Sequence, residues 1–414
     1  MAIIKAFKAV RPKTGLAEKV ACLPYDVMNT KEARAMAKGN PVSFLHVSRA
    51  EIDFPEGVDE HSQVVYDKAK ANFDKMIADG ALAQDKEAYL YIYAQVMNGR
   101  RQVGLVACSS IDDYFNDIIK KHELTRPEKE EDRIHHMETL QAHVGPIFLT
   151  YPQNNSIDNI INSIIAKQQP VYDFKADDNI QHTVWVVDNK ESIEQIITLF
   201  NKEIPYTYIA DGHHRTASAA KVGKKMREQN PQHTGNEEYN FFLSVLFPDN
   251  QLAIMDYNRV VKDLKGLSTD ELIKKIEQKF TVTKSTGDKP AKLHEIKMYL
   301  GGEWFQLIPK TGTYNDNDPI GVLDITILQD NLLAPILAIN DPRTDKRIDF
   351  VGGIRGLEEL KRRVDSGEMK AAFALYPVSL KQLMDIANSG KIMPPKSTWF
   401  EPKLRDGLFS HLFK

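Results

Sequence analysis

At 414 residues the chain is longer than one ordinary domain, so two domains, or one with a large insertion, are expected. Its 42% hydrophobic and 27% charged residues are those of a globular protein, and a net charge of −3 excludes a general electrostatic affinity for nucleic acid. Cys22 and Cys108 are the only cysteines, which excludes a disulfide framework or a zinc cluster and suits a reducing compartment.

No apolar leader follows Met1, and the longest apolar run, 332–339, falls far short of the roughly 20 residues a membrane helix needs. A cytoplasmic protein without a membrane partner is therefore expected. Residues 3–10 read as a first strand and 20–23 as a second, ending at Pro24-Tyr25-Asp26-Val27. Asn29 followed by Glu32 has the spacing of a capping box, opening a helix to about 38 that Gly39-Asn40-Pro41 stops. Residues 43–47 look like another strand. Over 59–78, Val65, Ala69, Phe73 and Met76 recur at helical spacing. Strand-like runs 89–96 and 102–109 flank Asn98-Gly99, a strong hairpin signal. A polar segment, 120–138, precedes a strand near 146–151. Helices over 157–167 and 191–201 then flank a strand at 183–187.

Residues 206–210 read as a buried strand, being short, aromatic and β-branched, and the Ala-rich run from Ala217 reads as a helix. A strand that turns through Gly into a helix delivers free backbone N–H groups and a positive dipole end to one point. Asp211-Gly212-His213-His214-Arg215-Thr216 fills that point with groups suited to a phosphorylated ligand. Gly212 would permit close backbone approach and Arg215 would pair with phosphate. Asp211 or His213 would act as base or hold a magnesium-bound phosphate. The alternative is that Asp211 only caps the helix and the histidines are exposed.

Beyond a strand at 241–247, a domain boundary is placed near 260. A helix over 268–280 follows, then a hairpin of 297–300 and 304–308 around Gly301-Gly302. An alternating pattern completes the chain: helix 323–332, strand 347–351, helix 357–364, strand 370–376 and helix 379–388. The expected division is 1–260, with an insertion over about 55–200, and 261–414.

Two further constellations carry candidate chemistry. His122-Glu123 with Asp132-Arg133 lies in one polar segment that either lines a pocket or forms a solvated charged face. It is not a zinc-protease motif, because Arg126 stands where the second His would be. Lys396, Ser397 and Thr398 are residue types that bind phosphate or carboxylate, presented by the stiff Pro394-Pro395 pair, or else part of a proline-rich packed tail.

Together, Pro24-Tyr25-Asp26-Val27, His122-Glu123 with Asp132-Arg133, Asp211 to Arg215, and Met393 to Thr398 resemble the bacterial domain-of-unknown-function 1015 family, in order and over nearly the whole chain. The resemblance implies an α/β (α+β) fold with a ParB/sulfiredoxin-like core, an insertion and a C-terminal α/β domain. Free serine kinases of that superfamily phosphorylate L-serine with a nucleotide. The likeness of their phosphate motif implies that Gly212, His214, Arg215 and Thr216 bind nucleotide phosphates, and Asp26 matches by position their catalytic acid. It further implies Mg2+ with ATP or ADP, His122, Glu123, Arg133, Lys396, Ser397 and Thr398 around the substrate, and no resident metal cage. The leading expectation is a nucleotide-dependent phosphotransferase acting on a small hydroxylated metabolite, with L-serine to O-phosphoserine as the best guess. The alternatives are a phosphatase acting on phosphoserine and a non-catalytic nucleotide-binding regulator. No reactive Cys lies beside the Asp211 turn and no helix-turn-helix pattern follows 260, which disfavours sulfiredoxin chemistry and DNA partition.

Overall fold

Asn98 and Gly99 both adopt positive φ, 50° and 79°, as a two-residue turn matched to the twist of its strands requires. They join Leu90–Met97 to Arg100–Ser110 in an antiparallel pair running from Tyr91 opposite Val106 to Met97 opposite Arg100. Both strands are buried over most of their length, so they occupy the middle of a sheet. The protein is described here by a computed structural model covering residues 1–414.

The main sheet has nine strands. Its order is Ile119–Lys120, Thr207–Asp211, Ile147–Tyr151, Phe241–Pro248, Arg100–Ser110, Leu90–Met97, Gln181–Val187 and Tyr172–Lys175, with Ile4–Lys5 also paired to Arg100–Ser110. Pairing is mixed: Phe241–Pro248 runs parallel to Ile147–Tyr151 and antiparallel to Arg100–Ser110. With helices packed on this sheet the fold is α+β. Ile92, Leu105 and Leu149 of the sheet share one core with Ile157 and Ile161, Ile196 and Phe200, and Ala219 and Val222 of three helices. A second cluster joins Phe44 and Leu45 to Val65, Ala69 and Phe73 of the helix Gln63–Ala78.

The chain forms two compact units, Met1–Leu252 with Pro402–Lys414, and Ala253–Glu401. The division expected at 260 would cut off Tyr257–Val261, which is an inner strand of the second unit's sheet. That sheet is wholly antiparallel, in the order Phe280–Ser285, Glu303–Pro309, Ile296–Leu300, Ala371–Ala374, Tyr257–Val261 and Ile348–Gly352. The final residues return to the first unit, where His411–Leu412 pairs with Ala142–His143 and Asp406 bridges to Cys22. The stretch 55–200, expected as an insertion, supplies the interior strands Leu90–Met97, Arg100–Ser110 and Ile147–Tyr151, and so belongs to the core.

Several local expectations differ from what forms. Residues 43–47 contribute to the short helix Leu45–Ser48 rather than a strand. The run 3–10 is broken into Ile4–Lys5 and Val10–Pro12, and 20–23 follows a helical turn, Ala17–Val20. The helix after Ser268 ends at Ile276, and Phe280 already begins a strand. No helix is long and apolar enough to cross a membrane.

Candidate phosphate site at the Gly212 turn

The strand Thr207–Asp211 ends where Gly212 takes φ +93°, and the helix His213–Gln229 begins. Gly212 stands at the N-cap position with no side-chain cap, so Asp211 is not the helix cap. The histidines are not exposed either: His213 is buried and His214 partly buried. The small residues Ala217, Ser218, Ala219 and Ala220 are all buried. They let the helix Pro127–Leu140 come close, and Ser218 Oγ donates to Glu130 O at 3.0 Å. This packing brings Arg133 and Arg215 to one cavity.

Arg215 folds back over the turn. Its Nη1 donates to Pro146 O at 2.7 Å and its Nη2 to Asp211 Oδ2 at 3.1 Å, while Nε is buried without a partner. Burial opposes its charge, but Asp26, Asp211 and Asp406 outweigh that and raise its pKa. Lys403 Nζ lies 3.6 Å from Asp211 Oδ1. Burial resists ionisation of Asp211, yet Lys403 and Arg215 hold its pKa below the usual carboxylate value.

His122 and His213 form a buried imidazole pair with ring centres 4.4 Å apart, edge to face. Both ring nitrogens of His122 and Nε2 of His213 are without partners, and His213 Nδ1 lies 3.6 Å from Glu123 Oε2. Burial pushes His122 down to about 4, and burial with His122 and His214 pushes His213 well below its ordinary value, so both are neutral at pH 7. His214 Nε2 accepts the Arg126 N–H at 3.1 Å, at the start of the helix that carries Arg133. Thr216 is fully buried and its Oγ1 donates to Gly212 O at 2.9 Å, so its hydroxyl serves the helix.

Arg133 stacks on Tyr25, its guanidinium carbon 3.9 Å from the ring centre, and its Nε donates to Asp132 Oδ2 at 2.7 Å. Burial, offset in part by Arg133, pushes the Tyr25 hydroxyl up to about 12, which leaves it a donor. Tyr25, Arg133, His143, Arg215 and Asp406 line a cavity with room for about 30 Å³, enough for water molecules but not a nucleoside. Asp406 Oδ1 there has no partner, and burial, against the pull of Arg215, raises its pKa to about 7. Asp26 is exposed, and of the surrounding carboxylates it acts most strongly on Arg215.

Thus Asp26, Arg133 and Asp211 to Arg215 gather around one turn, with His122 and Glu123 packed against His213. Lys396, Ser397 and Thr398 belong to the second unit. There Lys396 Nζ lies 5.7 Å from the centre of the Tyr257 ring and Ser397 Oγ donates to Pro394 O at 2.6 Å. No three His, Cys, Asp or Glu side chains are arranged to hold a metal ion. Tyr25, His143, Lys403 and Asp406 were not expected as site residues. Tyr25 stands beside Asp26 in a motif already singled out, whereas nothing in the spacing of His143, Lys403 and Asp406 ties them to Asp211, and it is the return of the C-terminal segment that brings Lys403 and Asp406 to the turn.

Residues 4–326 match the model of a protein family of unknown function, DUF1015, and the chain belongs to that family. No curated protein matches the chain. Among solved structures it is similar to a free serine kinase variant in complex with AMP, at 12% identity and a TM-score of 0.37, covering 72% of this chain and 86% of that one. It is also similar to a conserved hypothetical protein from Pyrococcus furiosus, at 14% identity and a TM-score of 0.36, with 75% and 95% covered. SbnI from Staphylococcus aureus, truncated at its C-terminus, is similar at 12% identity and a TM-score of 0.38, with 74% and 87% covered.

Proposed function

We propose that this protein transfers a phosphoryl group between a nucleotide, ATP or ADP, and a small hydroxylated metabolite, L-serine and O-phosphoserine being the first pair to test. The observation that carries this reading is the unpaired polar set at the Gly212 turn: Arg215 Nε, both nitrogens of His122 and Nε2 of His213. Each buried unpaired group costs about 1–3 kcal/mol, so several at one helix N-terminus favour a ligand that satisfies them. Phosphate oxygens suit the N–H donors of this set, Arg215 Nε and one nitrogen of a neutral imidazole, while a phosphate or substrate hydroxyl can donate to a bare ring nitrogen. Arg215 and Arg133 would neutralise charge on the transferred group. Phosphoryl transfer asks a protein mainly for positioning and charge stabilisation.

The cavity beside Arg215 is too small for a nucleoside, so the nucleotide body would lie outward, on the side of Asp26. The neutral, depressed imidazole of His213 is a weak base, and Asp211 is engaged by Arg215 and Lys403. Asp26 is exposed, and no salt bridge or hydrogen bond holds it, so it fits better as the group that takes the substrate's proton. The hydroxyl oxygen would bond to phosphorus, the bond to the nucleotide's bridging oxygen would break, and the proton would pass to Asp26. In the alternative to the base role, Asp26 would ligate a nucleotide-bound Mg2+, an ion usually held by one or two carboxylates and the phosphates themselves.

Phosphorus NMR of the full chain with Mg2+, L-serine and ATP or ADP tests the reading. The expected product is O-phosphoserine, with Asp26→Asn lowering kcat by about 100-fold or more while nucleotide affinity is kept. Loss of Mg-nucleotide affinity instead would make Asp26 a metal ligand. Inorganic phosphate released from O-phosphoserine without nucleotide would favour hydrolysis, and no conversion of either substrate would contradict both reactions.

A further inference from the structure

The second unit buries one guanidinium that has no acidic partner. Arg259, on the inner strand Tyr257–Val261, is 3% exposed. Its Nη1 donates to Tyr257 O and its Nη2 to Pro395 O at 3.2 Å, and its guanidinium carbon lies 5.2 Å from the centre of the Phe350 ring. Burial lowers its pKa to about 9, and among its surroundings only Tyr257 acts in the opposite sense. A buried charge is costly unless it is paired.

This guanidinium lines a cavity of about 160 Å³ whose apolar walls are Ile325, Leu333, Pro342, Pro394 and Pro395. Thr326 also lines it, and its Oγ1 is buried with no partner. We propose that this cavity binds a small carboxylate with a short apolar body, the carboxylate resting on Arg259 and Thr326. A cavity of about 150 Å³ takes a molecule the size of benzene, which sets the size of that body. A single cation balances a single negative charge, and Asp330, an acid in the same lining, disfavours a dianionic phosphate. Lys396 and Ser397, expected to bind an anion themselves, instead follow the Pro394-Pro395 wall, Ser397 bonding back to Pro394. The site is independent of the phosphate chemistry proposed for the first unit.

Calorimetric titration of the full chain with butyrate, benzoate and inorganic phosphate tests it. Butyrate or benzoate should bind wild type, about tenfold more weakly to Thr326→Val and not measurably to Arg259→Met, while phosphate should not compete. Arg259→Met also removes a buried side chain that bonds to Pro395 O, so the conservative Thr326→Val variant decides the case on its own. No carboxylate binding to wild type, unchanged affinity in Thr326→Val, or displacement of bound butyrate by phosphate would each overturn the proposal.

Discussion

Gly212 meets two demands at once. Its φ of +93° is a conformation that costs other residues about 1–2 kcal/mol, and a Cβ there would lie 3.1 Å from Arg215 Nε. Gly212→Ala should therefore lower stability by about that amount and displace Arg215, weakening a phosphate ligand about tenfold or more. Gly235, at φ +94° with nothing near its would-be Cβ, is the control. Gly235→Ala should show the strain in urea denaturation but leave ligand affinity intact. Equal affinity loss in both variants would remove the special role of the Gly212–Arg215 contact. Asp406 makes a pH prediction. Its folded pKa of about 7 lies above the unfolded value near 3.9, so its protonated form favours the fold. That contribution is full below about pH 4 and is lost as pH rises through 7. Asp406→Asn should flatten the fall in stability between those values, followed by urea denaturation at several pH values. His122 has the opposite sign. Its pKa of about 4 lies below the unfolded 6.5, so stability is lost as pH falls from 6.5 towards 4, and His122→Phe should flatten that acid limb. An unchanged slope in either variant would contradict the assignment.

At the scale of elements, the helix His213–Gln229 is set against its neighbours by small side chains. A Cβ on Gly223 would lie 2.2 Å from Tyr239 O and 2.8 Å from Ile111 Cδ1. Gly223→Ala should cost about 1–3 kcal/mol by overpacking, although alanine is the better helix former, and thermal melting reads the sign directly. A more stable variant would mean that the helix can shift at little cost. Elements with a chemical marker were legible in the sequence. Asn29 and Glu32 form both bonds of a capping box, Asn98-Gly99 makes the hairpin, and Val65, Ala69, Phe73 and Met76 are buried on one helix face. The run at 43–47 was not legible, because Phe44, Leu45 and Val47 are all buried in a short apolar stretch that has no period to separate helix from strand. The helix expected from 268 does begin after Ser268, but no glycine or proline marks its end before Phe280.

At the scale of the molecule, the turn from Asp211 to Arg215 was readable because its chemistry is contiguous. Its partners were not. Lys403 and Asp406 arrive through pairing of His411 with His143 and of Asp406 with Cys22, contacts that no local pattern encodes. Removing 402–414 should therefore lower the melting temperature of the first unit and weaken phosphate ligands, whereas unchanged melting and binding would show that the segment is dispensable. Thermal shift with Mg2+ and ATP, ADP or O-phosphoserine, on wild type and Arg215→Ala, reads whether the Gly212 turn is a phosphate cradle. A ligand held only by the native state at about 100 times its Kd adds roughly 2.7 kcal/mol, a shift readily seen. That shift is expected in wild type and should be lost in Arg215→Ala. Equal shifts in both proteins, or none with any of the three ligands, would contradict the cradle.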